Sequence, residues 1–448
     1  MNGKKITIFF VILAYFCTLL PIIPSLHTPT SPFTASDTKE VLQSTTYPLL
    51  TTSNDLSSNL KEKDMLLAYD HGLKSGYQYY HIYHLINVLA HVLYAQKFDK
   101  RLDEEVTRQK HIIDHYCPEY LEELRGLACA THIRVERLLK LQLYLGSLLG
   151  GECTITASTG PATKHNNTYL TQNWDMPQSI LEFSIWRTFF VQRYYIHQQS
   201  SHYRYMFLGV PVLYEHPLLN ENGLGWGGTG TPVTTNTSRT IDEGEGMPIY
   251  LLVRKTMMSC ATVQQVRDLW TTTPRSSYKI EILPQDWDFD SYVFCDREGG
   301  ILMIEQTHRY LATVFGTSTE LTGSREGILW HTNHHLWLDP LKTGTKIPGE
   351  DYKSYASLIR SERTRELLET SWGNITLEAC MNLTRDHGGG TDSTKADSAD
   401  ICRHPDDTDD TATVLSWIVE PQTLSVYMTK GYPCSTPFEQ YDFSGILE

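Results

Sequence analysis

The sequence lacks most of the simple signatures that assign a chain to a class. It has no excess of positive charge: 38 Lys and Arg stand against 52 Asp and Glu, a formal net charge of -14. With no basic stripe either, binding along a nucleic-acid backbone is excluded. No internal repeat recurs at a fixed period, which excludes solenoids and propellers. After the amino terminus no apolar run is long enough to span a bilayer. Only 20% of residues are charged, while 40% are hydrophobic and 11% aromatic. That is the composition of a globular chain with a large core, not of a disordered one.

Familiar site motifs are missing too. Gly223, Gly225 and Gly228 match the spacing of a dinucleotide loop, but no strand–helix–strand unit surrounds them. A glycine-rich strand end beside a substrate is the better reading. His331, His334 and His335 lack a helix-borne HExxH, so no metal site is assigned. The acidic cluster around Asp406 and Asp410 lacks EF-hand spacing and reads as a solvated loop.

The amino terminus is more informative. Lys4 and Lys5 precede an apolar run from Ile6 to Leu20 that breaks at Pro21 and Pro24. A basic start, an apolar stretch and a break form a secretory signal over residues 1–25, with an uncleaved anchor as the alternative. A membrane is a partner only in the second case. Residues 26–60 form a polar linker; 14 of the 34 residues from 27 to 60 are Ser or Thr. Four glycosylation triplets begin at Asn166, Asn236, Asn374 and Asn382, in keeping with a secreted or lysosomal (vacuolar) glycoprotein. Eight cysteines follow Cys17, and an even number in an oxidising compartment points to disulfides of unspecified pairing.

From Lys61 to Gly150 the periodicity is helical. Pro118 is placed to open a helix, with Glu119, Glu122 and Glu123 in its first turns. After Gly151 the texture changes. Cys153–Ser158 and Tyr169–Asn173 alternate as strands do, Tyr292–Ile304 reads as a hairpin, and 412–428 gives two more strands. Residues 248–271 and 353–370 read as helices. The class is α+β, not alternating βαβ.

Chemistry centres on the junction Gly150-Gly151-Glu152-Cys153-Thr154, where a helix stops and a strand begins. A cut before Cys153 would leave a thiol and a free α-amine on one residue. Such an amine titrates at about 7.7–8.0, so it can act as general base beside its own nucleophile. A buried or disulfide-bonded cysteine is the plain alternative.

Further motifs follow in order. Pro118–Ala128 precedes the junction. Gln172-Asn-Trp-Asp175 comes next, then Asn220-Glu-Asn-Gly-Leu224 and His331-Thr-Asn-His334. Ser357, Arg360 and Arg363 share one helix. Arg385-Asp-His387 and Ile401-Cys-Arg-His404 close the series. Together these resemble the acyl-coenzyme A:6-aminopenicillanic acid acyltransferase family of N-terminal-nucleophile hydrolases, related to choloylglycine hydrolases and acid ceramidase. The resemblance runs from about Tyr116 to Tyr441.

It implies a four-layer αββα fold and a precursor that cuts itself at Glu152–Cys153. The products would be a helical light chain, residues 61–152, and a heavy chain, 153–448, that remain partners. It implies Cys153 as nucleophile through a thioester, Asp175 holding the α-amine, Asn333 stabilising the oxyanion, and Arg360 (or Arg363) orienting the nucleophile. Trp174, Trp226, Thr229 and Gly230 would line the substrate site. Gly230 stands where bile-salt relatives carry a second oxyanion Asn, so a backbone amide near Thr229 takes that part. The implied substrate is a small, non-peptide linear amide. Hydrolysis needs no cofactor or metal; acyl-coenzyme A is a co-substrate if the reaction is acyl transfer. Two other readings are an inactive scaffold or binding glycoprotein, and a papain-like peptidase using Cys153, His331 and Asn333.

Overall fold

The computed structural model describes residues 56–94, 99–149, 152–178, 194–197, 202–234, 238, 240–276, 287–388, 399–405 and 410–447. The expected signal at 1–25, most of the linker, Asn236 and the Gly150-Gly151 pair lie outside these. Among the described residues no helix is long and apolar enough to cross a membrane.

The first five elements are helices: α1 (Leu56–Gln78), α2 (Tyr80–Tyr94), α3 (Asp99–Tyr116), α4 (Pro118–Thr131) and α5 (Val135–Leu149). The assigned linker therefore ends earlier than expected, because residues 56–60 already belong to α1. Pro118 occupies the first turn of α4, where its missing N–H costs no bond. His132 ends that helix in the left-handed region, at φ 57°. The closest approach in this segment is between α1 and α4. A Cβ on Gly72 would lie 1.8 Å from the Glu123 carbonyl oxygen, and one on Gly126 would lie 2.0 Å from that of Tyr69. Two glycines thus set the separation of the helix axes.

Thirteen strands follow among the described residues. They are β1 (Glu152–Ser158), β2 (Tyr169–Pro177), β3 (Tyr194–His197), β4 (Tyr205–Val210), β5 (Tyr214–Asn220), β6 (Gly225–Pro232), β7 (Trp287–Cys295), β8 (Ile301–Gln306), β9 (Leu311–Phe315), β10 (Ile328–His331), β11 (Thr411–Glu420), β12 (Ser425–Thr429) and β13 (Glu439–Asp442). One antiparallel sheet runs β10-β1-β2-β11-β12-β13, and the second is a meander from β3 to β9 in chain order. The longer remaining helices are α6 (Ile249–Ser259), α7 (Val263–Thr272), α8 (Tyr352–Thr370) and α9 (Leu377–Thr384).

The sheets face one another through β1 and β2 against β6 and β7. Helix α8 covers β10 and β1, and α9 covers β2 and β11; on the far side α6 and α5 cover β5 and α7 covers β8. This is the four-layer αββα arrangement expected from the sequence. Helices 248–271 prove to be two, because Thr262 opens α7 with a reciprocal capping box to Gln265.

The glycine-rich stretch is a correction. It is not a strand end but a whole interior strand, β6, paired along its length with β7. Glycine is depleted in strands, so no propensity marked it. Its use is steric: a Cβ on Gly227 would stand 2.4 Å from Gln172 Oε1. Bare backbone lets the second sheet close on the first at this point. The turn before β6 is pinned by Asn220, whose Oδ1 accepts from the N–H groups of Asn222 and Leu224 while its Nδ2 donates to the carbonyls of Met257 and Cys260. Gly223 sits there at φ 84°, a left-handed turn position suited to glycine.

The expected disulfides are also corrected. All eight cysteines after Cys17 are free. Most are buried in separate layers, and a disulfide needs its Cα atoms within about 7 Å. Cys402 and Cys434 come together beside His404.

Gly126→Ala should lower unfolding stability by about 1–3 kcal/mol or more, since the added methyl meets backbone that cannot rotate away. Chemical denaturation of the Cys153→Ala chain, with and without this change, measures it. Unchanged stability would mean that α1 and α4 do not meet here.

Candidate active site

β1 extends three residues past its ladder with β10, whose pairing stops at Ile155↔His331. Cys153 is therefore free of that neighbour, and side chains take over. Its N–H donates to Asn333 Oδ1 at 3.1 Å, and its carbonyl accepts from Arg360 Nη1 at 2.9 Å. Its Sγ accepts from Gln172 Nε2 at 3.3 Å. Cys153 itself is fully buried.

Alternation along β1 and β2 sorts the site into two faces. Cys153, Gln172 and Trp174 point between the sheets. Gln172 bridges the layers, donating to the Gly228 carbonyl and accepting from the Gly228 N–H. Glu152, Thr154 and Asp175 point the other way, toward α8 and the 399–405 segment.

There two buried arginines meet two buried carboxylates. Arg360 Nη2 donates to Glu152 Oε2 and to Asn333 Oδ1, both at 3.0 Å, and Nη1 reaches Thr154 Oγ1 at 3.1 Å. Arg403 Nη1 forms a second, close ion pair with Glu152. Asp175 pairs in register with Glu152. Its Oδ1 accepts from Thr413 Oγ1 at 2.7 Å, while Oδ2 has no hydrogen-bond partner and lies 3.9 Å from Arg360 Nη1.

Burial raises the Asp175 carboxyl to about 6, a cost that Arg403, Arg360 and the Thr413 hydroxyl offset in part. Burial also pushes the Cys153 thiol well above its ordinary range, and the nearby Asp175 charge adds to this; the Gln172 hydrogen bond and Arg360 act the other way.

The structure brings Glu152, Cys153, Asp175, Asn333 and Arg360 together at one point, in contact or in adjacent register. Of the two candidate arginines, Arg360 is the one at Cys153. Arg363, one turn on, is paired with Asp386 and Glu366. Asn333 has an unexpected orientation. It offers its oxygen to the Cys153 N–H, while its Nδ2 donates to the Gly230 carbonyl at 2.8 Å. The donors at Oδ1 fix that choice of amide orientation.

Thr229 Oγ1 lies 3.0 Å from His331 Nδ1, at a bulge of β6 between Thr229 and Gly230. Trp174 and Trp226 lie in an aromatic cluster between the sheets, with Trp174 stacked on His216 at 5.1 Å and Trp226 tilted against it at 4.8 Å. His216 is held near 3 by burial, hence neutral. Asn166, Asn374 and Asn382 are exposed.

The peptidase reading fares differently. His331 turns from Cys153 to Glu305, at 2.9 Å from Oε1. Burial would raise Glu305, but the His331 hydrogen bond, charge from His335 and His331, and the Leu336 N–H outweigh it and hold the carboxyl near 2. Burial lowers His334 to about 3. Among the described residues no histidine is hydrogen-bonded to Cys153.

Gln172, Ser357, Arg403 and Thr413 carry parts of the site that no sequence pattern had assigned. Ser357 Oγ accepts from the Asn333 N–H at 2.7 Å and fixes its loop. Gln172 had one legible signal: it lies two residues before Trp174, hence on the same strand face.

No family model matches the chain, and no curated protein matches it. Among solved structures, two variants of the conjugated bile acid hydrolase of Clostridium perfringens are similar in outline. They are 14% and 12% identical, cover 65% of this chain and 93% and 97% of theirs, and give TM-scores of 0.37 and 0.34. Penicillin V acylase of Agrobacterium tumefaciens is 10% identical, covers 65% and 86%, and has a TM-score of 0.38.

The raised Asp175 has a measurable sign. Between its ordinary value of 3.8 and about 6 the folded chain holds this proton more tightly than the unfolded chain. Stability therefore falls as pH rises through that window. Asp175→Asn, in a Cys153→Ala background, should remove this part of the pH dependence; superimposable stability–pH curves would show that Asp175 does not titrate there.

Proposed function

We propose that the chain is a self-processing cysteine amidohydrolase or acyltransferase of the N-terminal-nucleophile kind, acting on small non-peptide linear amides. The observation that carries this reading is the hold on the Cys153 backbone nitrogen. It is bound by the Asn333 side chain rather than by a neighbouring strand, beside a buried carboxylate with one oxygen lacking a hydrogen bond. That is the arrangement an α-ammonium at Cys153 would complete: Asn333 Oδ1 accepts from it, and Asp175 Oδ2 lies within the same buried cluster as its counter-charge.

In the proposed maturation the Cys153 thiolate attacks the Glu152 carbonyl carbon. The peptide C–N bond breaks as the C–S bond forms, and the nitrogen takes a proton to become the free amine. Water then hydrolyses the thioester, leaving a carboxylate on Glu152 and a thiol on Cys153. Asp175 lies on the other face of the strand pair from the thiol, so before an amine exists the thiol gives its proton to water. Afterwards the α-amine serves. With an external amide the same thiolate forms the acyl thioester and expels the protonated amine; water or an acceptor amine completes hydrolysis or transfer. No cofactor is needed for hydrolysis, and acyl-coenzyme A is a co-substrate in the transfer case. The motifs resembling the acyltransferase family favour that branch, and the sequons favour a secreted or lysosomal site of action.

Glu152 is the acyl side of the first bond cut, and Arg360 and Arg403 grip it. They orient the scissile residue as a clamp orients a substrate. The complete burial of the thiol supports one second reading: a chain that never cuts and keeps the fold as a scaffold or binding protein.

Amino-terminal sequencing and intact mass separate the two. The wild type should yield a heavy chain beginning at Cys153, and Cys153→Ala should remain one chain with no amidase activity. A Cys153→Ala chain that still cuts would refute the mechanism, and an uncut wild type would favour the scaffold.

Asn333→Ala should slow acyl-enzyme formation by about 10²–10³-fold if the second Nδ2 hydrogen meets the developing oxyanion. Single-turnover kinetics of the processed enzyme read this. A change confined to KM would move Asn333 from catalysis to binding.

A further inference from the structure

A second cluster of reactive side chains lies on the outer side of the first sheet, away from the thiol. His387, Cys402, His404 and Cys434 come from three separate segments, yet their ligand atoms all fall within 4.8 Å of one another. His404 Nε2 stands 3.8 Å from Cys402 Sγ and 3.4 Å from Cys434 Sγ. A tetrahedral zinc ion with Zn–S near 2.3 Å and Zn–N near 2.0–2.1 Å places its S and N ligands about 3.5 Å apart. Both separations fit that figure without rearrangement of the chain.

The segments are held together by bonds that owe nothing to a metal. The Cys402 N–H donates to the Asp386 carbonyl at 2.9 Å, next to His387. Arg385 Nε donates to the Pro433 carbonyl at 3.1 Å, next to Cys434. The Tyr432 ring stacks on His404 at 4.1 Å and 7°, which sets the imidazole plane. His387 Nε2 is buried and lacks a hydrogen-bond partner. A donor set of two thiols and two imidazoles, converging in a preformed frame, is that of a closed structural zinc site.

We propose that His387, Cys402, His404 and Cys434 bind one Zn²⁺ ion per chain as a structural site. Zinc displaces the two thiol protons and takes a nitrogen from each neutral imidazole, with no change of oxidation state. The function of the clamp follows from sequence adjacency. Arg403 lies between two of the ligands and points the opposite way, into the ion cluster on Glu152. Fastening residues 402 and 404 fixes the backbone that aims Arg403.

The test uses the full chain and its Cys153→Ala form, which keeps the outcome independent of the chemistry at Cys153. Elemental analysis after gel filtration with Zn²⁺ as the only added metal should give one zinc per chain in both. Cobalt substitution should give the intense visible bands of a tetrahedral thiolate site. Cys434→Ser should lower zinc affinity by more than about 100-fold, since even partners outside the ligand set cost 10–100-fold. Should that variant fail to fold, chelation of the wild type should still remove the ion and its cobalt spectrum. A metal-free chain, an octahedral cobalt spectrum, or a Cys402–Cys434 disulfide on non-reducing peptide mapping would each overturn the proposal.

Discussion

Everything around Cys153 depends on a buried quartet of charges: Arg360 and Arg403 against Glu152 and Asp175. Removing such charges from water is costly, and they persist only when paired and hydrogen-bonded. Losing one partner of a buried pair costs about 3–5 kcal/mol, so each arginine fixes the element that carries it. Arg360 draws α8 onto β1, and Arg403 draws the 399–405 segment onto the same spot. Glu152 can hold both only if β1 begins where it does. The strand start, the helix and the loop are therefore specified together by one electrostatic constraint.

That constraint explains why motifs scattered over nearly three hundred residues share an order. Within the α8 helix, Ser357 holds the Asn333 loop, Arg360 holds Cys153, and Arg363 holds Asp386. Three side chains at helical spacing thus serve three different segments. In β2, alternation divides the work again. Gln172 and Trp174 serve the space between the sheets, while Asn173 ties β2 to the carbonyls of Thr384 and Ile401 and to Ser416. None of these spacings carries meaning alone, because each residue answers to a partner that is distant in sequence.

How far the sequence could be read follows from the same distinction. The helical prologue, β1, β2, the β7–β8 hairpin and α8 were legible because they carry local periodicity and turn residues. The junction at Cys153 was legible from the switch of helix to strand, while the role proposed for it came from the resemblance. β6 was not legible, since glycine hides a strand whose purpose is close approach. Gln172 and Arg403 were visible as letters but not as roles, because those roles exist only once two sheets and a loop have met. The orientation of Asn333 was beyond reach for a related reason: its oxygen faces Cys153 because Arg360 and the Gly230 carbonyl settle the amide, and both come from elsewhere in the chain.

The bare backbone of β6 has an evolutionary consequence. A side chain at Gly227 would strike Gln172, and one at Gly228 would strike the Trp226 ring. Selection against such changes would act on packing alone. In descendants of this chain the strand would stay frozen and would look catalytic in a comparison of sequences, although its glycines meet Cys153 through the side chains of Gln172 and Asn333. Diversification of what the fold accepts would then be confined to positions where the two sheets have room to part.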